Sequence, residues 1–158
     1  MGSLTRSFAL GLATGGRSSV SLTVPLAVAA RGRTGAGAVL LRSVGRLAAI
    51  GELVADKLPV TPSRLGRPML DARVLAGALG AAGLAVAERR PLRAVVVAAP
   101  VGAIGAFLGA HAGAAWRAWA ADGGPSWLRP DARAALVEDS LVVGSAAVLV
   151  RSAHTKVA

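Results

Sequence analysis

The chain has 158 residues, of which 54% are hydrophobic but only 3% aromatic, and 20 are glycine. Soluble cores rely on aromatic side chains for much of their buried area, whereas membrane helices pack closely through small residues, so this composition favours an integral membrane protein. The lack of cysteine excludes disulfides and thiolate metal sites, and the net charge of +10 comes from basic residues that flank apolar segments, which favours contact with the lipid bilayer over nucleic acid.

The apolar segments predict an all-α integral membrane helical bundle that forms a single membrane domain over residues 1–158. A transmembrane helix needs about 20 mostly apolar residues. We predict five transmembrane helices, at 7–30, 36–56, 71–88, 92–119 and 131–151, with a loop at 57–70 and a polar tail at 152–158. Four spans are the alternative.

The first span is interrupted near its middle, where Gly15 and Gly16 precede Arg17 and Pro25 follows. Glycine and proline break or kink helices, so we predict a helix broken near Gly15-Gly16. A cleaved secretory signal peptide is the alternative interpretation, but Arg17 inside the apolar region argues against it.

The second span has one polar side. Arg42, Arg46, Glu52 and Asp56 fall within roughly 120° of one another on a helical wheel, and the opposite side is apolar. This pattern predicts a helix with one face toward lipid and one toward the interior of a bundle or a cavity. An amphipathic helix lying in the membrane interface is the alternative.

Glycines recur at helical spacing in the third and fourth spans. They are Gly77, Gly80 and Gly83, then Gly105, Gly109 and Gly113. Small-residue faces let helices approach closely, so we predict glycine-zipper packing and a homo-oligomer that forms through the same faces. Three tryptophans cluster around the end of the fourth span and the loop after it, as in an aromatic belt at one membrane interface, or they pack under that loop.

Several ionisable side chains lie within the predicted spans, where a charge costs about 2.5–3.5 kcal/mol unless it has a partner. The candidate polar-interior residues are Arg17, Glu52, Asp56, Glu138, Asp139 and His111. We expect Arg17, near mid-depth, to pair with Glu138, Asp139 or Glu52. His111 is a candidate proton-relay group, although a lone intramembrane histidine more often makes one interhelical hydrogen bond.

Catalytic motifs are absent from the sequence. It holds no nucleophile triad, phosphate loop or nucleotide fingerprint, and no second histidine stands at ligand spacing from His111. We therefore predict no enzyme activity, no catalytic residue, no metal and no cofactor.

Five spans place the two termini on opposite sides of the membrane, with eight basic residues on one side and seven on the other. The positive-inside rule then gives no orientation. The two ends of the chain also resemble each other, because each has a glycine-rich span followed by an acidic helix. This similarity predicts an inverted repeat, an arrangement common in transporters.

Four motifs stand out along the chain: 11–18, 52–59, 73–78 and the pair Glu138-Asp139. Together they resemble an uncharacterised bacterial membrane-protein family, the domain of unknown function 4126 (DUF4126). The resemblance implies a multi-pass protein of the bacterial cell (inner) membrane, and it carries no activity.

These observations support two main hypotheses. The first is a small transporter or channel-like protein with charged residues around a polar interior. The second is a membrane structural or assembly subunit whose intramembrane charges only lock helix packing. A continuous polar cavity favours the first and a closed bundle with paired charges favours the second, while a soluble helical protein with a basic surface is a third, less favoured class.

Overall fold

The computed structural model describes residues 2–55, 65–129 and 131–153. These residues form six α-helices and no strand, so the all-α prediction is confirmed. The helices are α1 (Ser3–Gly16), α2 (Val20–Ala29), α3 (Ala36–Ala55), α4 (Met69–Ala87), α5 (Leu92–Asp122) and α6 (Asp131–Arg151). Asp56 at the end of the second predicted span, most of the predicted loop and most of the predicted tail lie outside the described residues.

The first predicted span is two helices rather than one kinked helix. α1 ends at Gly16, Arg17 is extended (φ −145°, ψ 112°), and α2 begins at Val20. Arg6 donates to Leu149 O near the end of α6, Arg17 contacts Asp139 near the middle of α6, and Arg31 donates to Val150 O near its end. The chain therefore runs along α6 from its end to its middle in α1 and returns to the same end in α2, so α1 and α2 form a helical hairpin.

The other helices alternate in direction around this hairpin. Gly45 of α3 faces Thr23 while Glu52 reaches Ser18, so α3 runs antiparallel to α2. Gly80 and Gly83 of α4 face Ser21 and Pro25, so α4 runs parallel to α2. By the same reasoning α5 runs parallel to α1, because Gly11 faces Gly102 and Gly15 faces Ala106.

The first and last helical residues consequently lie at the same end of the bundle. We call this the terminal end; it also carries the turns at 30–35 and 88–91. The opposite tip end carries the hairpin tip, residues 15–19, and the loop at 123–129. The expectation that five spans separate the termini is wrong because the hairpin adds one reversal. The predicted inverted repeat stays a prediction: α1 runs parallel to α5, whereas the acidic helices α3 and α6 run in opposite directions.

The core is made chiefly of small residues. Ala81, Ala106 and Ala110 are fully or almost fully buried where α1, α4 and α5 meet. A Cβ atom on Gly105 would lie 2.5 Å from Phe8 O, and one on Gly77 would lie 2.5 Å from the Cβ of Ala106. Five of the six predicted glycines thus pack against helices of the same chain: Gly77, Gly80, Gly105 and Gly109 are buried, and Gly83 is half-buried. Gly113 is half-buried and lines a groove between α1, α5 and α6.

Large apolar side chains are mostly outside. The described residues include 25 exposed large hydrophobic side chains, six of them on α3 alone: Val39, Leu40, Val44, Leu47, Ile50 and Val54. Monomeric soluble proteins rarely expose contiguous apolar surface on this scale. This distribution is typical of a bundle that contacts lipid.

Two of the described helices, α4 and α5, are long and apolar enough to cross a membrane, and α2 is apolar but has 10 residues. Core helices of soluble proteins pass the same test, but they are mostly buried, whereas only 33% and 22% of the apolar windows of α4 and α5 are buried. This finding supports a membrane protein. It does not confirm the predicted count of five spans, because only two described helices meet the criterion.

The close approach of α1 to α5 makes a testable prediction. In Gly105→Ala the new methyl group meets the backbone of Phe8 and Leu12, which has no room to give, so we expect a loss of about 1–3 kcal/mol in unfolding free energy. Thermal unfolding of the purified protein in detergent measures this loss.

Gly144→Ala is the matched control, because Gly144 is also helical but a Cβ there meets nothing within 4 Å. Alanine favours helix over glycine by roughly 0.5–1 kcal/mol, so this variant should be slightly stabilised. Equal effects of the two substitutions would contradict the packing described for α1 and α5.

Candidate functional site

The candidate site is the tip of the α1–α2 hairpin, where two helix ends meet inside the bundle. The first N–H groups and last C=O groups of a helix have no partner within it. The N–H groups of Ser18 and Ser19, which lead into α2, donate to Oε1 and Oε2 of Glu52 at 2.7 and 2.8 Å. Both carboxylate oxygens of Glu52 are thus used, and its negative charge complements the positive end of the α2 dipole.

Arg73 binds the other helix end at the tip, the C-terminal end of α1. It is buried, at 5% exposure, and its Nη1 donates to the carbonyl oxygens of Gly15 and Gly16 at 3.1 and 3.3 Å. A cation at the last carbonyls of α1 complements the negative end of that dipole. One acid and one base therefore satisfy the two helix ends that the hairpin reversal creates.

Arg17 joins the tip to α6. Its Nε and Nη2 both contact Oδ1 of Asp139, with Nε at 3.2 Å, and the arginine is buried. Asp139 is one of the three acids that the sequence offered as partners. The structure thus anchors the extended residue of the hairpin to the middle of a neighbouring helix.

Glu138, next to Asp139, binds a different arginine. Successive residues of a helix point about 100° apart, and Glu138 Oε2 accepts from Arg117 Nε at 3.0 Å. Arg117 Nη1 also donates to both oxygens of Asp131 at 2.9 and 3.0 Å. This second cluster holds the C-terminal part of α5 to the start of α6.

A separate buried ion pair lies at the terminal end. Arg6 Nε is 2.6 Å from Glu88 Oε1, and the two side chains are 1% and 3% exposed. Arg6 Nη2 also donates to Leu149 O at 2.7 Å, and Arg90 contacts the second oxygen of Glu88. Together with the Arg17 pair, it fastens both ends of α1 to other helices.

The structure brings four predicted site residues to the hairpin tip, namely Arg17, Glu52, Glu138 and Asp139. Asp56 lies outside the described residues. His111 is not in the interior: it is exposed on the outer face of α5, where its Nδ1 is 2.9 Å from Phe107 O. It faces outward because its own helix turns the glycine side, Gly105 and Gly109, toward α1.

Sequence reasoning missed four charged residues as members of a site: Arg6, Arg73, Glu88 and Arg117. Arg6 directly precedes the predicted span 7–30, where a base is expected at the membrane interface, so the pattern does not mark it as buried. Arg73 and Glu88 stand near the ends of α4, where a sequence pattern does not distinguish a buried charge from a solvated one.

One groove borders the charged site. It has a volume of about 330 Å³ between α1, α5 and α6, and its walls are mainly apolar, including Leu12, Trp116 and Val142. Glu138 is its single charged lining residue. Among the described residues no group of three or more His, Cys, Asp or Glu side chains is placed to hold a metal ion.

Comparisons with family models, curated proteins and solved structures find no match. The resemblance to DUF4126 therefore remains a prediction that rests on its four motifs. In the structure each motif contributes a residue to the hairpin tip: Arg17, Glu52, Arg73 and the Glu138-Asp139 pair.

The pair between Arg17 and Asp139 predicts strong coupling in a double-mutant cycle. Arg17→Gln or Asp139→Asn alone removes one side of this ion pair and keeps the other charge inside the bundle, which we expect to cost up to about 3–5 kcal/mol. The double variant should cost less than the sum of the two, with a coupling energy of about 0.5–3 kcal/mol from thermal unfolding in detergent.

The matched control is the exposed pair between Arg67 and Asp71, whose charged atoms are 3.7 Å apart and whose side chains are 87% and 60% exposed. A coupling of about 0.3–0.5 kcal/mol is expected there. Coupling as small as this between Arg17 and Asp139 would show that their contact does not hold the hairpin.

Proposed function

We propose that the protein is a multi-pass protein of the bacterial inner membrane and that all six described helices lie in the bilayer. The exposed apolar surface supports this location. α3 and α6 carry charged residues within them, but Glu52, Glu138 and Asp139 bind partners inside the bundle. The large exposed side chains of both helices are mainly apolar, such as Leu40 and Leu47 of α3 and Leu141 and Val143 of α6. The four DUF4126-like motifs support the same location.

The hairpin is then a re-entrant element that enters and leaves at the terminal end. α1 has 14 residues and rises roughly 21 Å, less than the 30 Å or so of the hydrocarbon core. Its tip therefore lies within the bilayer. Irregular backbone at that depth is tolerated where it is buried in protein, and Glu52 and Arg73 supply the partners that water cannot.

Within that setting we propose a structural or assembly role rather than transport. The observation that carries this proposal is the pairing of the interior charges. Arg17, Glu52, Glu138 and Asp139 all bind groups of the same chain. The groove beside them is apolar except for Glu138 and one serine, and it offers no polar path through the bundle.

Transport is the second candidate, favoured by the interrupted hairpin itself. Transporters place substrate and ion sites where half-helices end near the middle of the membrane. Here the two half-helix ends meet beside an arginine–aspartate pair. In this alternative, separation of α6 from the hairpin tip frees the helix ends for a solute.

Self-association stays a prediction. The glycines expected to carry it face helices of the same chain, so a homo-oligomer would use another surface, such as the exposed side of α6 around Gly144.

The re-entrant hairpin makes a sharp topological prediction, and the cysteine-free chain suits the experiment. Single cysteines at the exposed positions Gly2, Arg33 and Ser126 are labelled with a membrane-impermeant maleimide in sealed membranes of known orientation. Gly2→Cys and Arg33→Cys should label from one side and Ser126→Cys from the other.

A single kinked span over 7–30 instead puts Gly2 and Arg33 on opposite sides, which would rule out the hairpin. Carbonate washing of the same membranes tests the location itself. The protein should stay in the pellet, and its release without detergent would overturn the membrane assignment.

The structural role predicts no solute flux. Proteoliposomes that contain the purified protein should release ions and small solutes no faster than empty liposomes, because the charges at the hairpin tip are bound within the protein. A flux that Asp139→Asn alters while Arg67→Gln does not would contradict the structural role and favour transport.

A further inference from the structure

A second pocket lies at the terminal end, far along the bundle from the hairpin tip. It has a volume of about 410 Å³ and is formed by α2, α3, the turn between them and the end of α6. Three arginines line it, Arg31, Arg42 and Arg46, and no acidic residue does. Its volume falls in the range of about 300–1,000 Å³ that is typical of small-molecule sites.

None of the three arginines is neutralised by a carboxylate of the described residues. Arg31 Nη1 donates to the carbonyls of Val150 and Arg151 at 2.7 and 3.1 Å, and Arg42 Nη2 donates to those of Ala30 and Arg33 at 3.0 and 3.2 Å. In the described part of the chain no ion pair joins any of the three to an acid. Each guanidinium has five N–H donors, so donors remain for an anion.

The surroundings add positive charge. Among the described acids only Glu88 lies at the terminal end, and it is already bound to Arg6 and Arg90. The described acids outside the terminal end are Glu52, Asp71, Asp122, Asp131, Glu138 and Asp139. The exposed Arg33 and Arg151 lie next to the pocket, since their carbonyls bind Arg42 and Arg31.

The pocket is also partly apolar and opens beside α3. Ala27, Leu41 and Val150 form part of its wall, and Gly45 lies at its base. Arg42 extends its side chain back to the carbonyls of the α2–α3 turn, so its charge sits nearer the terminal end than its Cα does. Arginine behaves in this way near a membrane surface, where the stem stays in the apolar layer and the charge reaches the headgroups.

We propose that this pocket binds the phosphate of an anionic phospholipid headgroup, with an acyl chain running along the exposed apolar face of α3. Basic pockets between membrane helices recognise such headgroups. The apolar wall distinguishes a lipid from free phosphate, which has no use for it. This inference rests on the membrane location proposed above.

The test uses the full-length protein in an uncharged detergent. Thermal unfolding is followed while phosphatidylglycerol, phosphatidylcholine with the same acyl chains, or inorganic phosphate is added. Phosphatidylglycerol should stabilise the protein at concentrations where the other two do not. Stabilisation by phosphatidylcholine to the same extent, or by inorganic phosphate, would overturn a site for an anionic lipid.

The variants locate the site. Arg46 is exposed and makes no hydrogen bond or ion pair with the other described residues. Arg46→Gln should therefore weaken the response to phosphatidylglycerol roughly 5-fold, and Arg42→Gln/Arg46→Gln roughly 25-fold. Arg93→Gln/Arg129→Gln removes the same charge from exposed positions outside the pocket and should leave the response unchanged. An equal loss in that control would show general attraction to the basic surface and would overturn the pocket. If the protein resists carbonate but shows no preference for phosphatidylglycerol, the lipid site alone is rejected. If carbonate releases the protein, the membrane location on which the lipid site depends is rejected as well.

Discussion

The reversal of the chain between α1 and α2 depends on the two side chains that bind the helix ends it creates. A helix end buried without partners is costly because each unpaired backbone group loses its hydrogen bond to water. Glu52 and Arg73 supply those partners with charges that suit the two dipoles. Both come from helices that flank the hairpin, so α3 and α4 must stand beside it for the tip to exist.

The small-residue core is the second condition. A hairpin lodged inside a bundle needs its helices to approach their neighbours more closely than leucine allows. Gly11 and Gly15 of α1 face Gly102 and Ala106 of α5, and Gly80 of α4 faces Ser21. The large apolar side chains are displaced outward as a result, which gives the bundle its apolar surface.

Sequence patterns predicted where the helices lie along the chain, but they did not predict that the chain reverses direction between α1 and α2. The bounds of α3 to α6 lie within a few residues of the predicted spans, because hydrophobic runs and the proline, glycine and arginine turns between them are local signals. The break at Gly15-Gly16 was also local. Whether the chain then continues or reverses is decided by distant contacts, such as Gly80 with Ser21 and Arg31 with Val150, which no local pattern contains. The same limit applies to the site. The candidate acidic partners of Arg17 were identifiable from the sequence, but no local feature distinguishes Arg73 from a solvated base near a loop.

The long sequence separation of the charged pairs has a consequence for how the protein is made. Arg6 and Arg17 are synthesised first, yet their partners Glu88 and Asp139 follow 82 and 122 residues later. At a synthesis rate of about 5–20 residues per second, Asp139 is added to the chain roughly 6–24 s after Arg17. Within that interval Glu88 is added first and the glycine face of α5 follows, so the contact with Asp139 is the last of these to become available. The contacts that hold the hairpin are therefore supplied one after another as the later helices are synthesised, and the tip can bind α6 only when the last described helix has been made.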